Sequence, residues 1–202
     1  MEPLPPAIQF LNQRFLAEGC MSAEKAQELW DASEFDKGSA QNLKAALGLS
    51  NRQLAAAGLE IRGVIVDDSA YYAMVNKQAD DIAKAGFNAS FTTTEINYIR
   101  LIIGTLTDET ECTKANLINL KNSLKEKDGS LTMDQAVAIL DRLIHDQWIW
   151  PTVENTRGTK KRRHSMQTRF SLAPRAFMEL SYMLVDQFGM QNTELPQQIY
   201  FT

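Results

Sequence analysis

The period of the hydropathy pattern changes twice along this chain, in the same order each time, and this constrains its fold more than any other feature. In the first half apolar residues begin at helical spacing. Ile8, Leu11, Phe15 and Leu16 form one such set, with prolines at its entrance, where a missing N–H is harmless. The spacing predicts a helix over Leu4–Leu16, stopped by Gly19. Ser22 is placed to cap a second helix running through Trp30, with Ala26, Leu29 and Trp30 on its apolar side. The stretch Asp36–Ser39 is a break. A third helical segment follows from about Ala40 through Leu43 and Leu47, with an expected interruption near Gly48 and a resumption to Ala57. The period then becomes two. Leu59 and Ile61 alternate with Glu60 and Arg62, the β-branched Val64, Ile65 and Val66 follow, and Tyr71, Ala73 and Val75 alternate with Tyr72 and Met74. Asp67-Asp68-Ser69 between the two runs supplies the turn of a β-hairpin.

The second half repeats this order. Gln78–Ala85 reads as a short connecting helix and Gly86–Ser90 as a loop. Thr92 with Glu95 matches a capping box, followed by Ile96, Ile99, Ile103 and Leu106 on one helical face. Thr113 opens a further helix with Leu117, Ile118 and Leu124 as its core side. Thr132 with Gln135 is a second capping-box pattern, leading into a helix whose apolar face is Met133, Ala136, Val137, Leu140, Leu143 and Ile144. Trp148-Ile149-Trp150 favours a strand, and Arg169–Leu172 predicts its partner. Pro174 opens a closing helix carrying Phe177, Leu180, Leu184 and Phe188, with Gly189 as its stop.

Three helices followed by a hairpin is the order of a winged helix. The expected fold class is therefore α+β, mainly α, with tandem winged-helix domains. The first covers 1–80; the second covers 81–202 and carries a basic wing and a C-terminal helix. A chain of 202 residues has room for two such domains. No stretch approaches the ~18 uninterrupted apolar residues of a membrane span, and no signal peptide is visible at Met1–Pro6. Cys20 and Cys112 cannot build a disulfide framework, which fits a reducing compartment. With only His145 and His164 beside them, no Cys/His zinc module is expected within these residues.

Charge is segregated. The chain has 21 Lys and Arg against 25 Asp and Glu, yet from Asn155 to Met178 it has no acid and seven cations: Arg157, Lys160, Lys161, Arg162, Arg163, Arg169 and Arg175. The remainder holds 14 cations against 25 anions, an acidic body with one basic segment. Lys160-Lys161-Arg162-Arg163-His164 falls at the tip of the expected second wing. Flexible cations there can reach phosphate oxygens and release counterions, giving affinity without sequence readout. The expected recognition helix carries Asp134, Asp141 and Asp146 against Arg142, which a phosphate-lined groove would repel. Candidate DNA contacts are thus Arg157, Lys160, Lys161, Arg162, Arg163 and Arg169. A nuclear-localisation signal, a solvated loop and a dock for an acidic protein are the competing readings of the same run.

No Gly-rich phosphate loop, His-Glu-x-x-His pattern or nucleophile elbow is present. Cys112 precedes a helix start, where a thiolate is favoured, but nothing nominates a base for it, so it reads as inert. Asp67 with Asp68, and Asp80 with Asp81, read as solvated rather than as an acid/base dyad. For a protein partner the candidates are Phe10, Gln13 and Arg14 on the first helix. Phe10 falls off its apolar stripe. Tyr72 and Met74 join them, on the hairpin face opposite Tyr71 and Val75.

Three segments together carry a family resemblance: Tyr71-Tyr72-Ala73-Met74-Val75-Asn76, the run Gln135–Ile149 before the second wing, and the N-terminal helix with Phe10-Leu11 ending at Gly19. In order and spacing the chain resembles the first non-SMC element subunit of the SMC five–six complex. The resemblance implies a tandem winged-helix protein in a nuclear, DNA-binding genome-maintenance assembly, and these residues, which hold no recognisable catalytic centre, read as a scaffold subunit of it. Its partners would be a MAGE-like winged-helix subunit, a kleisin subunit and double-stranded DNA. Members of that family continue into a RING-like zinc domain linked to ubiquitin-ligase activity. Its zinc ligands have no counterpart here, so neither zinc nor ligase chemistry is carried onto any of these residues. The alternative is a free-standing, sequence-specific winged-helix transcription regulator.

Overall fold

The computed structural model describes residues 3–77, 91–125, 127, 129–152 and 168–202. The expected helix at Gln78–Ala85, the loop at Gly86–Ser90 and the basic run Arg157 and Lys160–Arg163 lie outside the described residues.

In the first half, α1 (Pro6–Glu18) ends where Gly19 takes a positive φ of 75°. A short strand β1 (Cys20–Ser22) leads into α2 (Ala23–Ala32), and Ser22 caps that helix by accepting from the Lys25 N–H at 3.2 Å. Helix α3 (Leu43–Leu54), capped by Asn42, is followed by a 3₁₀ turn at Ala55–Ala57. Strands β2 (Leu59–Val66) and β3 (Ser69–Asn76) form the hairpin. Their two-residue connection places Asp67 and Asp68 at φ 49° and 60°, the left-handed geometry that matches the twist of the flanking strands.

The second half repeats the order with α4 (Thr93–Glu109), β4 (Cys112–Thr113), α5 (Lys114–Asn119), α6 (Met133–His145), β5 (Ile149–Thr152) and β6 (Arg169–Leu172). Both capping boxes form: Thr92 with Glu95, and Thr132 with Gln135. Then come α7 (Pro174–Glu179), α8 (Ser181–Asp186) and β7 (Gln198–Tyr200). Among the described residues two antiparallel sheets result, ordered β1-β3-β2-β7 and β4-β6-β5, so the protein is α+β with small antiparallel sheets. Among the described residues no helix is long and apolar enough to cross a membrane.

Three expectations are corrected. Gly48 does not interrupt α3. A Cβ at Gly48 would lie 2.7 Å from the backbone oxygen of Thr202, so glycine here admits the chain's own C-terminal residues against the helix. The closing helix is two short helices, broken at Leu180 with φ −108°. The face of α6 is rotated, so that Ile139 is buried and Met133 exposed. The sequence pattern also left unread that the C-terminal residues return to the first half. Strand β7 pairs with β2, with Gly63 opposite Ile199, and Phe201 is buried in the first core.

Each half has its own core. Ile8, Leu11, Phe15, Trp30, Leu47 and Ile61 fill the first, and Tyr98, Ile102, Leu117, Leu140 and Trp148 the second. A third cluster joins them, in which Cys20, Val64, Ala73 and Val75 of the first sheet meet Met178 of α7. The first sheet is therefore covered on both faces, by the helices of its own half and by α7.

Candidate partner interface and the junction beneath it

Covering both faces of the first sheet decides the fate of the hairpin candidates. Met74 is only 9% exposed and packs with Ile61 in the first core. Tyr72 is half-buried, with Phe201 edge-on to its ring at 5.1 Å. The expectation of a hairpin face open to a partner is thus corrected: α2 and α3 cover one side of the ribbon, and the C-terminal strand seals Tyr72. A Cβ at Gly63 would fall 2.8 Å from the Tyr72 ring and 3.1 Å from Ile199, so the close approach of β7 needs glycine there.

Helix α1 remains partly open. Gln13, Leu16 and Ala17 are exposed and Phe10 is half-buried, while Ala7, Ile8, Leu11 and Phe15 face the core. Phe10 lies 5.6 Å from Phe35, an exposed aromatic residue just past α2 that the sequence pattern did not single out. Arg14 is tied to Glu18, which also binds Lys25, and the Lys25 ammonium holds the Glu18 carboxyl below the usual carboxylate range. Of the basic segment, Arg169 and Arg175 are described. Arg169 is exposed on β6, 3.6 Å from the Glu111 carboxylate. On α6, Asp141 is bonded to Lys114 at 2.6 Å, and exposed His145 stands 3.0 Å from Asp146.

At a polar junction two hydrogen bonds, from Arg62 and from the Cys20 N–H, cross between the halves, and Arg175 organises the second-half side. Arg175 donates to Glu179 Oε1 at 2.8 Å and to the Asp146 carbonyl at 2.9 Å, and its guanidinium lies 4.8 Å from the Trp148 ring centroid. Arg62 of β2 donates to the Met178 carbonyl at 2.9 Å. Gln147, at φ 60°, accepts the Cys20 N–H at 3.0 Å across the junction. Glu179 is 6% exposed; burial pushes its carboxyl up, and Arg175 and Arg62 pull it back. Beside this junction runs an apolar cleft of about 250 Å³ between the edges of the two sheets, where Tyr71 meets Trp150 edge-on at 5.6 Å.

The two cysteines occupy matching places, each at the start of the short strand before a capped helix. Both are buried. Burial pushes the Cys20 thiol up to about 12, and burial with the nearby Glu109 carboxylate raises that of Cys112. Neither is a poised nucleophile. No group of three or more metal-ligating side chains occurs among the described residues.

The family model described as the Nse1 non-SMC component of the SMC5-6 complex matches residues 9–180, a span that includes most of α1, the junction and both hairpins. The chain belongs to the Nse1 family. A solved structure titled "Nse1-Nse3-Nse4 complex" contains a chain of similar fold, with a TM-score of 0.69 and 18% sequence identity. The match covers 93% of this chain and 77% of that one. No match is found among the curated proteins.

Proposed function

We propose that this Nse1-family protein is a scaffold subunit of a nuclear SMC-type genome-maintenance complex. It docks a MAGE-like winged-helix subunit and, through it, a kleisin, and it adds sequence-independent DNA binding. In this reading each half is a winged helix, the first over 1–80 and the second over 81–202. The observation that carries the proposal is the family match running across both halves. The neighbour's title, naming an Nse1-Nse3-Nse4 complex, supports the choice of partners. The repeated order of helix, short strand, two helices and hairpin supports the winged-helix reading. The Arg62 and Gln147 hydrogen bonds across the junction and the β7 strap support the scaffold reading, because they hold the two halves in one orientation and so offer a partner a fixed surface.

Binding of the MAGE-like subunit to wild type and to a Leu16→Asp variant tests the docking role. Leu16 is 67% exposed, so folding is spared. If α1 is the docking face, a charge at the centre of the contact costs at least about 2 kcal/mol, or roughly thirtyfold in Kd. Unchanged affinity places the partner elsewhere. For DNA, a salt titration on random duplex compares wild type with a variant in which Lys160, Lys161, Arg162 and Arg163 are alanine. A phosphate-binding arm loses affinity and its log–log salt slope flattens by about 0.9 per contact removed. Equal slopes dismiss the arm. One site bound roughly a thousandfold tighter than bulk DNA would instead mark a sequence-specific regulator.

A further inference from the structure

Phe35 has no counterpart among the residues that the pattern of the chain nominated. It is 54% exposed, and its ring rests on that of Phe10, so the two make an aromatic platform at the junction of α1 with the turn after α2. The border of this platform is acidic. From Ala23 to Asp36 there are five carboxylates against the single cation Lys25. Glu28 and Asp31 lie one turn apart on the exposed side of α2, and Glu34 and Asp36 flank Phe35 in the chain. None of these four is ion-paired among the described residues. Of the cations beside it, Lys25 is held by Glu18 and the Lys37 ammonium lies 5.0 Å from the Trp30 ring centroid, which leaves the five carboxylates in excess.

We infer that the Phe10–Phe35 platform is the seat of a cationic amphipathic helix presented by a protein partner. An exposed ring beside a half-buried one takes an aliphatic anchor such as Leu or Met, and a net-negative border selects Lys or Arg on either side of it. The platform sits on a helix and a turn rather than at a strand edge, so a partner engages it by laying down the apolar face of a helix, not by strand pairing. The inference deepens the docking role of α1 and rests on that reading for the identity of the partner.

The test uses the full chain and a Leu/Lys peptide of about 18 residues patterned as an amphipathic helix, long enough to be helical. A control peptide has the same composition in scrambled order. Binding is followed by fluorescence anisotropy over a range of salt. The patterned peptide is expected to bind at least about tenfold tighter than the scrambled one. Phe35→Ala is expected to remove that preference. Glu28→Gln with Glu34→Gln should weaken binding about tenfold and flatten its salt dependence. Equal binding of both peptides, or wild-type binding by Phe35→Ala, overturns the inference. The same variants are then scored for capture of the MAGE-like subunit. If Phe35→Ala abolishes peptide binding but spares capture, the platform stands and the α1 docking reading falls. If capture is lost while the peptide still binds Phe35→Ala, the platform falls and docking stands.

Discussion

Arg175→Met is the sharpest probe of the buried charge on the second-half side of the junction. The substitution keeps much of the aliphatic volume and removes the charge. In the wild type Arg175 satisfies Glu179, which is 6% exposed, and the Asp146 carbonyl. Removing one member of a buried pair leaves the other uncompensated, which costs about 3–5 kcal/mol. Arg62 still attracts Glu179, and Arg175 retains some contact with solvent, so the lower end, about 3 kcal/mol at pH 7, is expected. Urea unfolding reads this as a lowered midpoint at constant m. The pH dependence separates charge from packing. The folded-state pKa of Glu179 is already raised, and losing Arg175 raises it further. A carboxyl whose folded pKa lies above its unfolded value binds more protons when folded. Its contribution is most favourable below the unfolded value, about 4.3, and is lost as pH rises through the folded one. The deficit of Arg175→Met should therefore shrink as pH falls from 7 towards 5, and adding Glu179→Gln should recover more than half of it at pH 7. A loss that is independent of pH and not rescued by Glu179→Gln would refute the electrostatic account and assign Arg175 to packing on Trp148. A loss below about 1 kcal/mol would refute the buried-pair argument altogether.

Other outcomes follow from the same geometry. Asp67→Asn with Asp68→Gly places the favoured pair in a turn whose residues both have positive φ, and should stabilise the fold by about 1 kcal/mol, read as a raised Tm; an unchanged or lower Tm contradicts that turn. Phe201→Ala removes a buried ring from the first core and should cost about 3 kcal/mol, with faster amide exchange along the outer side of β2. Wild-type exchange there would show that the C-terminal strand is not seated on β2. Both thiols should react with a disulfide reagent at pH 8 only on the timescale of unfolding; prompt modification of either in the native protein would contradict its burial.

The helices were legible because each has an apolar stripe and a local start signal. Ser22, Thr92, Thr113 and Thr132 all cap as their sequence context suggests, because the cap hydrogen bond is made within three residues of chain. The hairpin at Asp67–Asp68 and the strand at Arg169–Leu172 were legible for the same reason. Strands β1, β4 and β7 were not. Two or three residues carry no measurable period, and they become strands only because a longer strand offers them partners. Gly48 misled because glycine reads locally as a helix breaker, whereas its use is to let Thr202 approach from more than 150 residues away. Tyr72 and Met74 misled because alternation marks two faces without saying that both are covered. Phe35 was missed because a lone aromatic residue in a turn has no periodic context.

By itself, then, the sequence determined the local elements, their order and its repetition, since caps, turns and periods act between residues a few positions apart. Tertiary structure decided which surfaces remain available. It gave the second face of the first sheet to α7, its outer edge to the C-terminal strand, and the link between halves to Arg62 and Gln147. Those choices depend on which apolar faces and unpaired edges meet when distant segments pack, and on the need of every buried charge for a partner.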